Sequence, residues 1–160
     1  MPYPSKLLDK YAVLSDPNDV LHRNVQNIVA SYNSAWDILT ELIQNSVDAI
    51  NQRCAQESGT YQGQIKILID SGTNTISIED NGIGILPGSA DTMILPGGSF
   101  KTTGNTYGHK GLGFTYCAHV AESVEVETFH FECRKKEHWI FSGGFQWLVD
   151  PSQDPKLTDA

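Results

Sequence analysis

The 160-residue chain is poor in cysteine: Cys54, Cys117 and Cys133 make an odd number with no Cys-x-x-Cys spacing. That excludes a disulfide scaffold and a cysteine-ligated zinc site, and it fits a reducing compartment. No run approaches the roughly 18 apolar residues of a membrane span. The opening MPYPSKLLDKYAVLSD breaks its apolar residues with Pro, Lys and Asp, leaving no signal-peptide core. Basic charge is scarce as well. Eleven Lys+Arg against nineteen Asp+Glu leave a net charge of −8, which repels a phosphate backbone and argues against direct nucleic-acid binding. Internal repeats and low-complexity tracts are absent. With 39% hydrophobic and 19% charged residues, the chain reads as one soluble, acidic, cytoplasmic domain with a real core, neither disordered nor a coiled coil.

Apolar periodicity predicts a helix over residues 19–32, carried by Leu21, Val25, Ile28, Val29 and Tyr32. A second helix starts near Ser34, capped with Asp37 three residues on, and runs to about Cys54. QIKILID and NTISIED read as two strands joined by the turn Ser71-Gly72-Thr73-Asn74. A Gly-rich, weakly patterned stretch follows from Asn81 to Lys110, and loops that long inside a domain are usually functional or mobile. LGFTYCAHVA reads as a short helix, SVEVETFHFEC as a strand, and HWIFSGGFQWLV as a returning strand with a Gly-Gly interruption. The last ten residues, with two prolines and no apolar pattern, read as a linker.

Three segments carry candidate chemistry. On the second helix, Glu41, Asn45 and Asp48 fall within about 60° of one another, opposite an apolar face of Trp36, Leu39, Ile43, Val47 and Ile50 expected in the core. Such a stripe is either a solvated face or a set of hard oxygen donors suited to a magnesium ion that keeps several waters. It has no Lys or Arg at i+4 to pair with its acids, and it carries an Asn where helices disfavour one. Next, Asp80-Asn81-Gly82-Ile83-Gly84-Ile85 is either a plain tight turn or a place where backbone and isoleucines wall a flat ligand. Third, Gly108-His109-Lys110-Gly111-Leu112-Gly113-Phe114 opens a predicted helix with unobstructed N–H groups, an anion site by construction. Lys101 and Lys110 flank it, either solvated or facing a phosphate charge. The loop follows no strand directly and lacks a terminal Lys-Ser/Thr, so it is neither a Rossmann fingerprint nor a P-loop. The histidines show no ligand spacing, and His130-x-x-Cys133 reads as strand alternation. Trp36, Trp139 and Trp147 read as core or strand-face aromatics.

In this order the three segments resemble the GHKL ATPases, whose nucleotide-binding module is the Bergerat fold. ELIQNSVDA is similar to that family's E-L-x-x-N-x-x-D-A helix, DNGIGI to its D-x-G-x-G turn, and GHKGLGF to its phosphate loop. The resemblance spans roughly residues 41–128 and implies a two-layer α/β sandwich, with a mixed, mostly antiparallel sheet covered on one face by helices. It implies ATP and Mg²⁺ as ligands. Glu41 would be the general base, Asn45 the Mg²⁺ ligand, and Asp48 and Ala49 would line the pocket. Asp80 would accept the adenine amine, with Gly82, Gly84 and Ile85 as the adenine wall. Lys101 would belong to an ATP lid over residues 96–107, and Gly108, His109, Lys110, Gly111, Leu112, Gly113 and Phe114 would meet the phosphates.

The resemblance further implies a nucleotide-binding domain over residues 19–150, a segment 1–18 suited to a dimer strap, and a tail 151–160 leading to further domains. Expected partners are ATP or ADP, a second copy in a nucleotide-dependent homodimer, and downstream domains, with no membrane. Members that hydrolyse ATP take a Lys or Arg to the γ-phosphate from another domain, so turnover here would be slow. Two alternatives accompany this reading, a non-catalytic nucleotide sensor and the ATP-binding half of a histidine-kinase-like phosphotransferase. Thr128 is left open as a late-strand threonine near the adenine.

Overall fold

The structure, a computed structural model, describes residues 17–34, 36–57, 59, 61–97 and 111–160. The chain runs α1 (Pro17–Ser31), α2 (Asp37–Gln56), β1 (Ile65–Asp70), β2 (Thr75–Asp80), α3 (Ala90–Ile94), α4 (Gly113–Val120), β3 (Ser123–His130), β4 (Lys135–Ser142), α5 (Gly144–Val149) and β5 (Lys156–Asp159). The protein is α/β, and every strand ladder among the described residues is antiparallel. One sheet is the hairpin β1–β2 and the other has the order β3–β4–β5. No described helix is long and apolar enough to cross a membrane.

Local chemistry explains the boundaries. At the entry to α2 the Asp37 carboxylate accepts the Asn33 and Ser34 N–H groups, both at 3.0 Å, while Ser34 Oγ accepts the Trp36 N–H at 3.2 Å. These side-chain hydrogen bonds hold the turn that leads into α2, whose first helical residue is Asp37. At the β1–β2 turn, Asp70 Oδ1 takes the Gly72 and Thr73 N–H groups and Asn74 adopts a φ of 54°. These hydrogen bonds to the ionised form, Gly72 foremost, hold the Asp70 carboxyl below its usual range.

The core lies between α1, α4, α5 and the second sheet. Leu21 and Val25 of α1 meet Ile94, Leu95, Ala118, Trp139, Phe141 and Trp147, all fully buried. Phe114 packs against this cluster and meets the Trp139 ring edge-on. His119 is buried within it, its Nδ1 hydrogen-bonded to the Thr115 carbonyl at 2.8 Å. Burial pushes that imidazole down to about 4.

Four expectations are corrected. The segment after His138 is not one returning strand: β4 ends at Ser142, Gly143 adopts a φ of 80°, and α5 begins there, turning Trp147 inward on a helix. The unpatterned tail carries β5, which pairs with β4 from Trp139↔Asp159 to Ser142↔Lys156. The long Gly-rich stretch contains α3, which delivers Ile94 and Leu95 to the core. The apolar face assigned to α2 is only partly enclosed: Trp36 is 62% and Val47 37% exposed, Leu39, Ile43 and Ile50 are half-buried, and the fully buried residues of the helix are Ser46 and Asp48. That helix packs on β2 and on α4, and Glu41 of its polar stripe lies against Gly113.

Candidate functional site

Helix α2 carries four of the candidate residues, Glu41, Asn45, Asp48 and Ala49. Glu41 and Ala49 are eight residues apart, about 12 Å along the axis, with Asn45 and Asp48 between them on the same stripe. Glu41 and Asn45 are half-buried and Asp48 is fully buried. A carboxylate and an amide held partly out of water are better placed to engage a ligand than the same groups on a solvated face.

At the Glu41 end the acid is bracketed on both oxygens. Tyr32, just past α1, donates its hydroxyl to Glu41 Oε1 at 2.9 Å. On the other side, a Cβ on Gly113 would overlap Glu41 Oε2. The third glycine of the loop motif therefore leaves room for the acid as well as exposing a helix N-terminus. Tyr32 also stacks on Tyr116 of α4, with ring centroids 3.8 Å apart and planes 14° from parallel, and Tyr116 donates to the Ser34 carbonyl at 3.3 Å. Burial first, then the hydrogen bond and charge of Glu41, push the Tyr32 phenol above its usual range. Burial and the same carboxylate push the Cys117 thiol up to about 12, so Cys117 is an inert core thiol.

At the Ala49 end the Asp-Asn-Gly turn lies directly on the helix. Ile83 N–H donates to the Ala49 carbonyl at 3.0 Å, and a Cβ on Gly82 would start 2.6 Å from the Ala49 carbonyl carbon. Only glycine fits that approach. Asp80, exposed at the end of β2, accepts the Gly82 N–H on Oδ1 at 2.8 Å. Gly84, with a φ of 79°, sits where a side chain would strike the Phe129 carbonyl, and Ile85 N–H donates to Thr128 Oγ1 at 2.9 Å. The turn is thus pinned between α2 and β3.

A clamp behind the turn had no signature in the sequence. Arg53 donates through Nη1 to the Asn81 carbonyl at 2.8 Å and through Nε to Glu57 at 2.8 Å. Its guanidinium lies 4.8 Å from the Tyr61 ring centroid and 4.4 Å from that of Phe131. Tyr61 donates to Asn81, whose side chain also bridges Gln62 and Gln64. The sequence marks Tyr32 only as an apolar helical position and gives no sign of a role for Tyr116. The i,i+4 pairing of Arg53 with Glu57 was readable, but its reach to Asn81 is a tertiary fact.

The glycine loop enters the described residues at Gly111, which has a φ of 70° and accepts the Thr115 hydroxyl at 3.3 Å. Leu112 is half-buried and α4 begins at Gly113. Since the Phe114 ring is committed to the core, only its main chain remains for a ligand. Lys101, Gly108, His109 and Lys110, and the expected lid beyond Gly97, lie outside the described residues. Among the described residues no cluster of three or more His, Cys, Asp or Glu side chains is arranged to hold a metal ion.

Comparison with known proteins agrees with this arrangement. Residues 32–145 match the family described as "Histidine kinase-, DNA gyrase B-, and HSP90-like ATPase". The chain is also 26% identical over 141 residues to the chaperone protein HtpG of Albidiferax ferrireducens, a match covering 74% of this chain and 21% of that protein. It spans about a fifth of that relative's length. The matched region takes in Tyr32 and all of α2, the turn, α4 and the β3–β4 pair, so the acid, the turn and the end of the glycine loop lie on one ATP-binding domain, and the chain belongs to the histidine kinase-, DNA gyrase B- and HSP90-like ATPase family.

Proposed function

We propose that the chain binds Mg-ATP along α2 and hydrolyses it slowly, and that nucleotide closes a lid over residues 96–107 and drives dimerisation within a larger protein. The observation carrying this reading is the placement of two unlike contacts on one rigid helix. Glu41 meets the start of the glycine-loop helix at Gly113, and about 12 Å away Ala49 meets the Gly82 turn. A ligand with an anionic end and a flat end suits that spacing.

In this reading the Asp80 carboxylate accepts the adenine amine. Its Oδ1 already holds the Gly82 N–H, leaving Oδ2 for the ligand. Gly82, Gly84 and Ile85 wall the ring, with Asp48 and Ala49 beneath. The loop residues Gly108, His109, Lys110, Gly111, Leu112, Gly113 and Phe114 offer main-chain N–H groups to the phosphates, and Lys101 of the lid adds a charge. Asn45 is the protein's ligand to Mg²⁺, which would neutralise charge developing on the phosphates. Glu41 accepts a proton from the water that attacks the γ-phosphorus as the bond to the bridging oxygen breaks. Segment 1–18, whose first sixteen residues lie outside the described ones, is proposed as a strap between copies.

The test is calorimetric titration of the chain with a non-hydrolysable ATP analogue and Mg²⁺, with Asp80→Ala as control and turnover of Glu41→Gln alongside. The expected result is binding that Asp80→Ala abolishes, with turnover that Glu41→Gln lowers by about a hundredfold or more. Binding with no Glu41-dependent turnover would instead make the domain a nucleotide sensor. A folded chain that binds no nucleotide would refute both.

A further inference from the structure

The Glu41 carboxylate is too well held for a residue with only a solvent-facing duty. Its Oε1 accepts the Tyr32 hydroxyl and its Oε2 lies against Gly113. The ring that supplies this hydroxyl is itself held face to face by Tyr116, three residues past Gly113 on the helix leaving the glycine loop. Tyr116 is anchored in turn to the Ser34 carbonyl at the entry to α2. A closed circuit results: the α2 entry, Tyr116, Tyr32 and Glu41.

We propose that Tyr32 is the positioning residue for Glu41, fixing the carboxylate for the attacking water, and that the Tyr32–Tyr116 stack ties this orientation to the helix that follows the phosphate loop. The inference rests on the hydrolytic reading above. Two physical arguments support it. A general base must be held within a few tenths of an ångström of its working geometry, which a second partner locked by packing accomplishes. A phenol that stays protonated is a permanent donor, and burial beside a carboxylate keeps this one protonated through the physiological range. The hydroxyl leaves Oε2 as the face turned to the start of the glycine-loop helix, where a ligand's phosphates would lie. Tyr32 touches neither nucleotide nor water in this scheme and acts only through Glu41.

The experiment compares Tyr32→Phe, Glu41→Gln and the double variant in the full chain, by single-turnover hydrolysis of Mg-ATP and by calorimetric binding of a non-hydrolysable analogue. Tyr32→Phe keeps the ring and its stack while deleting the hydroxyl. It is expected to lower the hydrolysis rate about tenfold with Kd for the analogue unchanged within twofold. The double variant is expected to be no slower than Glu41→Gln alone, since a positioning hydroxyl has nothing left to position. A purely structural role would add to Glu41→Gln instead. Tyr116→Ala, which removes the stack, is expected to slow hydrolysis more than Tyr116→Phe, which retains it. Full activity of folded Tyr32→Phe beside an inactive Glu41→Gln overturns the positioning role and leaves the ATPase reading standing. Turnover indifferent to Glu41→Gln overturns the ATPase reading, and the positioning role with it.

Discussion

Helices α1 and α2 flank the same short helix, α4, and bury different kinds of residue. Helix α1 follows the ordinary amphipathic rule, sending Leu21 and Val25 into the core at 1% and 0% exposure. Helix α2 buries Ser46 and Asp48 and leaves Val47 and the preceding Trp36 in solvent. One helix is held by apolar burial. The other is held at its ends, by the Asp37 and Ser34 hydrogen bonds of the entry turn and the Arg53 clamp, and along its length by contacts with the turn and the glycine-loop helix. Surrendering apolar burial to a polar stripe costs stability, and proteins accept such costs where a site is built.

The sharpest way to break the comparison is at the contact that only α2 makes. Gly82→Val would place a branched side chain against the Ala49 main chain and the Asp80 carboxylate, with first approaches of 2.6 and 2.8 Å. A helix backbone cannot yield, so the turn moves and the Ile83–Ala49 hydrogen bond is lost. Calorimetry should find no nucleotide binding, and denaturant melts a loss of about 1–3 kcal/mol. Unaltered binding would show that the turn is not the floor of the site.

On α1 the matching change is Val25→Ala. Two buried methyl groups are removed at a site walled by other core side chains, at about 0.8 kcal/mol each plus a cavity contribution, or about 2–3 kcal/mol in all. Nucleotide affinity, measured below the melting transition, should stay within twofold. An affinity loss matching that of Gly82→Val would mean that the two helices are not functionally distinct.

The difference between these helices was only half legible beforehand. Periodicity located both, and glycine and asparagine marked the hairpin, because those signals are local. The three motifs pointed to one site, and the structure joins Glu41 to Gly113 and Ala49 to Gly82. Which residues of α2 are buried depends on its packing with β2 and α4, both distant in sequence, and no periodicity reports that. Helix α5 was obscured because Phe145, Trp147, Leu148 and Val149 have strand-like composition, and only the left-handed Gly143 redirects them. Strand β5 carries four exposed residues and no alternation, so nothing in Lys156-Leu157-Thr158-Asp159 announced it. Arg53 and Tyr61 reach Asn81 across 28 and 20 residues, a long-range arrangement invisible to local pattern.

The side of α4 facing α1 offers a pH test that the side facing α2 does not. His119 contacts the rings of Phe141 and Trp147, and His22 beyond it hydrogen-bonds the Trp147 and Leu148 carbonyls. Burial lowers the His119 imidazole to about 4, with His22 adding to the effect and the Thr115 carbonyl opposing it. The folded state therefore keeps it neutral where the unfolded chain, titrating near 6.5, takes up a proton. Stability is unaffected by this group above pH 6.5 and falls as pH drops towards 4, by up to about 1.4 kcal/mol per unit. Melting curves between pH 7 and 5 should be steeper in pH for the native chain than for His119→Gln. Parallel curves would show that His119 is not the group responsible.

The smallest effect sharpens the comparison most, because the chemistry is held constant. Val47→Ala removes the same two methyl groups as Val25→Ala, from the helix that carries the site. Val47 is 37% exposed where Val25 is fully enclosed, so water already covers much of what is deleted and little cavity remains. Alanine also has the better helix propensity, by about half a kcal/mol at an exposed helical position. The two contributions nearly cancel, and the predicted change is within about 0.5 kcal/mol of zero, against about 2–3 kcal/mol for Val25. Chemical denaturation of the two variants side by side measures the difference directly. A cost at Val47 equal to that at Val25 would mean that this part of the apolar face of α2 is buried in the protein as it exists in solution, covered by something beyond the described residues.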